Sequence, residues 1–139
     1  MKRLIVYLEV IRAIAKTIHY EYKGGNFYSI HKLMDRVQKD IYDWQDAIKE
    51  DYFMCYGLKV PSFVDVYSQA ITELNSLESI DIGTLMSTIN QTIAHIEELC
   101  ATDGFETNEP NTLTQGVLDL LGEISRSLCN SQGLLGHQM

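Results

Sequence analysis

Two prolines in 139 residues, and no sustained alternation of β-branched with polar residues, leave almost nothing from which to build a sheet. An all-α chain is predicted. No apolar run approaches the ~18 residues of a membrane span. Met1-Lys2-Arg3 leads into an amphipathic segment without a cleavage signature, so the cytoplasm is the expected compartment. Positive charge is scarce too: 11 Lys and Arg stand against 19 Asp and Glu, a net charge of -8. Strong DNA binding and attachment to an anionic membrane are therefore not expected. The three cysteines, Cys55, Cys100 and Cys129, are odd in number, unclustered and without CxxC spacing, which predicts reduced and mostly buried thiols. GxSxG, GxGxxG, P-loop and zinc-finger patterns are all missing, and with them any sign of a hydrolase or nucleotide enzyme. So is Glu-x-x-His, the motif of di-iron carboxylate centres built inside one four-helix bundle.

What is present is helical periodicity. Hydrophobic residues make up 45% and charged residues 22%, and the length suits one domain over residues 1–139. A first helix is predicted over Lys2 to Tyr22, burying Leu4, Leu8, Ile11, Ala15 and Ile18. Gly24-Gly25 ends it. A second, Tyr28 to Tyr56, carries Ile30, Leu33, Val37, Ile41, Trp44 and Ile48 in one stripe. Gly57 and Pro61 break the pattern before a short helix, Ser62 to Leu74, with Phe63, Val66, Tyr67 and Ile71. A third long helix runs from Ile82 or Thr84 to Ala101 with Leu85, Ile89, Ile93, Ile96 and Cys100 inward. After a polar loop, Thr102 to Asn111, the fourth covers Thr112 to Asn130 and buries Leu113, Val117, Leu120, Leu121, Ile124 and Leu128, leaving GLLGHQM as a tail. His95 and Glu98 are spaced i,i+3, but no second pair matches them, so a solvated or structural role is expected.

The chemistry concentrates in HYEYKGGNFYSIHKLMDRVQKDIYDWQDAIKE, residues 19–50. His19, His31, Asp35, Asp46 and Glu50 are residue types that suit Fe(II), Mn or Zn. At roughly 100° per residue, the last four fall within an arc of about 100°, nearly opposite the apolar stripe. They point away from the chain's own core. His31 with Asp35, and Asp46 with Glu50, are i,i+4 pairs. The pairs are 15 positions apart, about 22 Å at ~1.5 Å per residue, so one chain cannot join them at one metal. A second copy packed antiparallel, across a two-fold near residues 40 and 41, sets each pair opposite the other and makes two equivalent sites. His19 and His31 are equally far from Gly25, so an antiparallel helix hairpin places them side by side. The predicted site is His19, His31 and Asp35 from one chain with Asp46 and Glu50 from the other.

The pattern H-x11-H-x3-D-x10-D-x3-E, together with the turn KGGNFYSIH, resembles the Dps family, the mini-ferritins of bacteria. The resemblance implies a ferritin-like four-helix bundle with a short extra helix in the middle connection, assembled through two-fold dimers into a dodecameric shell. It implies a ferroxidase centre, mono-iron or di-iron, at His19, His31, Asp35, Asp46 and Glu50, where Zn or Mn could substitute. Fe(II) would be oxidised there by hydrogen peroxide or dioxygen and Fe(III) stored in the hollow shell, with the acidic residues gathering iron. Two features depart from the family: Tyr20 stands where Trp is common, and no lysine-rich tail is present for DNA. The competing reading is a ferritin-like metal-sequestering or scaffold protein without turnover.

Overall fold

A computed structural model describes residues 1–138, and these are all-helical, 75% helix without strands. In chain order the helices are α1, Lys2–Glu21; α2, Phe27–Ile48; α3, Phe63–Asn75; α4, Ile82–Cys100; and α5, Gln115–Gln138. A π-helical turn, Lys49–Met54, extends α2. Contacts run from α1 to α2, from α2 to α5, from α5 to α4 and from α4 back to α1, closing a ring, while α3 lies outside it against α1. No helix among the described residues is long and apolar enough to cross a membrane.

α1 is the most deeply set helix. Leu4, Ile5, Val6, Leu8, Val10, Ile11, Ile14, Ala15 and Ile18 are all buried, more than one stripe, because neighbours lie on three sides. α2 buries only Ile30, Met34, Val37, Ile41, Trp44 and Ile48, in steps of three and four, and leaves its opposite face open. Leu33 is only half-buried, and Met34 takes the inner position beside it.

The expected continuous helix to Tyr56 is interrupted by the π turn, marked by the i→i+5 bond from Cys55 N–H to Glu50 O, and ends in a Schellman cap in which Gly57, at positive φ, bonds Met54 O and Leu58 bonds Phe53 O. The wider turn lets two consecutive residues, Tyr52 and Phe53, both enter the core. Tyr52 donates to the carbonyl of Pro110 at 2.5 Å and Tyr56 to that of Thr112 at 2.5 Å. These two phenols hold the connection between α4 and α5. Burial, reinforced by the charge of Glu109 and by Tyr56, pushes the Tyr52 hydroxyl up to about 12.

α3 is capped by Ser62 and clamped to α1 by the ion pairs Lys2–Asp65 and Arg3–Glu73. Val66 and Ala70 face α1, but Phe63 and Ile71, expected in the apolar face, are 65% and 54% exposed. α4 opens with a capping box between Asp81 and Thr84. Its inner face holds Leu85, Ile89, Ile96 and Leu99 as well as Thr88, Thr92 and His95. The threonine hydroxyls are satisfied within the helix, Thr88 on the Thr84 carbonyl and Thr92 on that of Thr88. Ile93 is half-buried and Cys100 is exposed, so the inward stripe drifts away from the expected positions by the end of the helix. Cys55 and Cys129 are exposed as well, which corrects the expectation of buried thiols. α5 begins later than expected and continues eight residues beyond Asn130, with Ser131 and Leu135 buried. Most of the predicted tail is therefore helix, and its last residue lies outside the described residues.

His95 is structural. Its ring packs on Tyr7 at 5.4 Å, its Nε2 is buried without a partner, and its Nδ1 is 3.9 Å from Glu98. Close by, the Met1 ammonium meets the Glu109 carboxylate at 2.9 and 2.8 Å. Burial, followed by the positive charges of Met1 and Arg3, holds the imidazole below its ordinary value of 6.5, with Glu98 and Glu109 opposing.

Two measurements check this core. Tyr52→Phe leaves the Pro110 carbonyl without its donor and is expected to cost about 1–3 kcal/mol in urea unfolding. An unchanged midpoint would mean that the phenol holds nothing. For His95, the folded state disfavours the charged ring, so the unfolded chain takes the proton first. The stabilising contribution is therefore complete above pH 6.5 and lost as pH falls below it. A His95→Leu variant is expected to show a flatter stability profile between pH 7 and 5 than the wild type.

Candidate metal centre

The two histidines come together at the α1–α2 hairpin. His19 lies in the last turn of α1, where the carbonyls lack onward helical partners, and His31 lies in the second turn of α2. Each ring reaches the other's backbone: His19 Nδ1 donates to His31 O at 2.9 Å, and His31 Nδ1 to His19 O at 2.8 Å. The rings stack with centroids 3.6 Å apart and planes 23° from parallel. Tyr20 packs edge-on against His19 at 4.8 Å, and Phe27 lies over His31 at 5.3 Å. The row of four rings holds both imidazoles in place.

The exchanged bonds decide the tautomer. A carbonyl can only accept, so both Nδ1 atoms carry the proton in the neutral rings, and both Nε2 atoms keep a free lone pair. This is the arrangement of a metal-ligating histidine, whose second nitrogen is tied to a carbonyl that sets its orientation. Both residues are partly exposed.

The carboxylates are arranged differently. Asp35, one turn beyond His31, is half-exposed and pairs with Lys39 at 3.1 Å. Asp46 and Glu50 are exposed, Asp46 near the end of α2 and Glu50 in the π turn. Within one chain no three His, Cys, Asp or Glu side chains among the described residues converge on a common point. The structure thus brings His19 and His31 together and leaves Asp35, Asp46 and Glu50 strung along the outward face of the same helix.

Asp46 also borders a cleft of about 310 Å³ between α1, α2 and α3. Its floor is a polar network that the sequence reading missed. Buried Glu9 accepts from Arg12 through Nε at 3.0 Å and Nη2 at 2.8 Å, and from Gln45 Nε2 at 3.2 Å. Arg12 Nη2 in turn donates to the Tyr67 hydroxyl at 2.6 Å. The only sequence signal was the i,i+3 pair Glu9/Arg12 in the otherwise apolar stretch Leu4 to Ala15 of α1. Elsewhere on α2, the Asp40 carboxyl is held above its ordinary range, first by partial burial and then by Asp43 and Glu123, against the pull of Arg36.

In comparison with known proteins, no family model, no curated protein and no solved structure matches the chain.

The tautomer can be read directly. Nitrogen-15 correlation spectra of the imidazoles above their titration are expected to show bare Nε2 and protonated Nδ1 at both His19 and His31. The reverse tautomer at either ring would remove the basis for a two-histidine ligand set.

Proposed function

We propose that the protein is a Dps-like mini-ferritin, which takes up Fe(II) at a ferroxidase centre shared between two copies of the chain and stores Fe(III) in a hollow shell. The observation that carries the reading is the reciprocal bonding of His19 and His31, which ties up both Nδ1 atoms and leaves the Nε2 lone pair of each ring free. The carboxylates support it: they lie on an exposed face, and one chain cannot gather them. In this reading α1, α2, α4 and α5 form a ferritin-like four-helix bundle, for which the closed ring of contacts speaks. α3 is then the short helix of the middle connection.

His19, His31 and Asp35 bind iron from one side, and Asp46 and Glu50 of the second copy from the other, at a mono-iron or di-iron centre. Neutral imidazoles suit Fe(II), and carboxylates offset the charge that rises on oxidation. With peroxide the balance is 2 Fe(II) + H₂O₂ + 2 H⁺ giving 2 Fe(III) + 2 H₂O, without release of hydroxyl radical. Dioxygen is the other candidate oxidant. A two-fold dimer and a dodecameric shell are the assemblies in keeping with this reading.

Anaerobic Fe(II) titration followed by peroxide, on protein whose assembly size is measured in the same sample, tests the reading. Oxidation faster than in buffer, with saturable Fe(II) binding, is expected. Background-rate oxidation by a well-folded assembly would favour metal sequestration without turnover.

Sharing between chains has its own test. His31→Ala and Asp46→Ala/Glu50→Ala proteins are each expected to lose activity. Mixed, unfolded together and refolded, they form heterodimers in half the cases, with one of two sites intact, restoring about a quarter of wild-type activity. No recovery from a well-folded mixture that contains heterodimers would mean the site is not shared.

A further inference from the structure

The groove between α1 and α3 has no part in the metal centre. Its volume is about 290 Å³, and no residue of α2 lines it. One wall is Glu9, Arg12, Ala13 and Lys16 of α1, and the other is Tyr67, Ala70, Ile71 and Leu74 of α3. Both sets are spaced i, i+3, i+4, i+7, so each wall is a single stripe, about 10 Å long on a helix.

The two walls differ in chemistry. The α3 wall is apolar apart from the Tyr67 hydroxyl, with Ala70 buried, Leu74 half-buried and Ile71 54% exposed. The α1 wall is charged. Glu9 and Arg12 offset each other through bonds of 3.0 and 2.8 Å. Lys16 is exposed and makes no ion pair or hydrogen bond among the described residues. The side chains that line the groove therefore keep one uncompensated positive charge, in a chain whose net charge is -8. Hydrogen-bond donors are left over as well. Arg12 uses Nε and Nη2 on Glu9 and Tyr67, so both N–H groups of Nη1 are without an acceptor among the described residues. The Tyr67 hydroxyl accepts from Arg12 at 2.6 Å, and its own proton has no acceptor there either.

We propose that this groove binds a free fatty carboxylate of medium chain length, its head on Lys16 and Arg12 and its chain along Ala70, Ile71 and Leu74. Arg12 and Lys16 are one helical turn apart, close enough for the two oxygens of one carboxylate to bridge them. An apolar wall facing a cationic one selects an amphipathic anion, and a stripe of about 10 Å suits an extended octanoate. The volume suits one chain, and the net charge of -8 repels an anionic bilayer, so the source is a soluble fatty acid and not a membrane lipid. None of His19, His31, Asp35, Asp46 and Glu50 lines the groove, so binding there is independent of the iron reading.

Calorimetry on the assembled, metal-free protein tests the assignment, with octanoate, hexanoate, octanol and octylammonium as probes. Octanoate is expected to bind saturably, one per chain, with octanol and octylammonium weaker by about tenfold or more. Hexanoate, two methylenes shorter, is expected to bind about tenfold more weakly than octanoate. Ile71→Asp puts a charge in the apolar wall, and Lys16→Glu reverses the sign of the charged one. Both positions are exposed, and circular dichroism checks that each variant is folded. Ile71→Asp is expected to weaken octanoate on the order of tenfold. Lys16→Glu is expected to reverse the preference, so that octylammonium binds more tightly than octanoate. Octanoate uptake without saturation, octanoate binding that both folded variants leave unchanged, or octanol bound as tightly as octanoate overturns the proposal. Binding to phosphatidylglycerol vesicles without any binding of octanoate also overturns it, and makes the groove a membrane contact.

Discussion

The division of α2 into two faces is the constraint on which the rest of the structure depends. Ile30, Met34, Val37, Ile41, Trp44 and Ile48 have to be buried, and a helix has only one way to bury them together. Turning that stripe inward onto α1 and α5 turns everything opposite it outward. Lys32, Asp35, Arg36, Lys39, Tyr42, Asp43 and Asp46 are thereby collected on a surface that the chain itself leaves uncovered. Burial of full-size aliphatic side chains, each worth about 1.5–3 kcal/mol, far outweighs anything those surface charges contribute. The core thus decides where the charges face, and the charges have no say in it.

The hairpin at Gly24-Gly25 adds a second, local constraint. It brings the frayed carbonyl end of α1 beside the first turns of α2, where each histidine ring satisfies a backbone oxygen of the other helix. Two polar interactions orient two rings, and the neighbouring rings of Tyr20 and Phe27 limit their rotation. In this way the helix end that most needs capping becomes the place where two imidazole rings are held against each other. In the proposed function, the outward carboxylates of a second copy complete what the hairpin begins.

The other end of the molecule is organised by burial of polar groups. Tyr52 and Tyr56 hold the α4–α5 connection by its carbonyls, and Glu109 of that connection holds the start of α1. His95 sits within this region with an unsatisfied nitrogen, a cost that the surrounding packing offsets. None of these contacts involves the outward face of α2. The end that fixes the fold and the surface that carries the candidate chemistry are separate.

Periodicity alone determined the helix order, the apolar stripe of α2, the outward direction of Asp35, Asp46 and Glu50, and the meeting of His19 with His31 across the glycine pair. These depend on 3.6 residues per turn and on a hairpin's symmetry, which are local and legible in residue spacing. Only the tertiary structure decided the π turn at Lys49–Met54, because it answers the need to pack Tyr52 and Phe53 together beneath the α4–α5 connection. It alone extended α5 to Gln138, since Leu135 becomes a core residue only when there is a core to reach. It turned Cys100 outward and His95 inward, a matter of a few tens of degrees at the end of α4 that neighbouring helices settle. The buried Glu9–Arg12–Gln45–Tyr67 network was likewise beyond residue spacing, because its members come from three helices and meet only once those helices have packed.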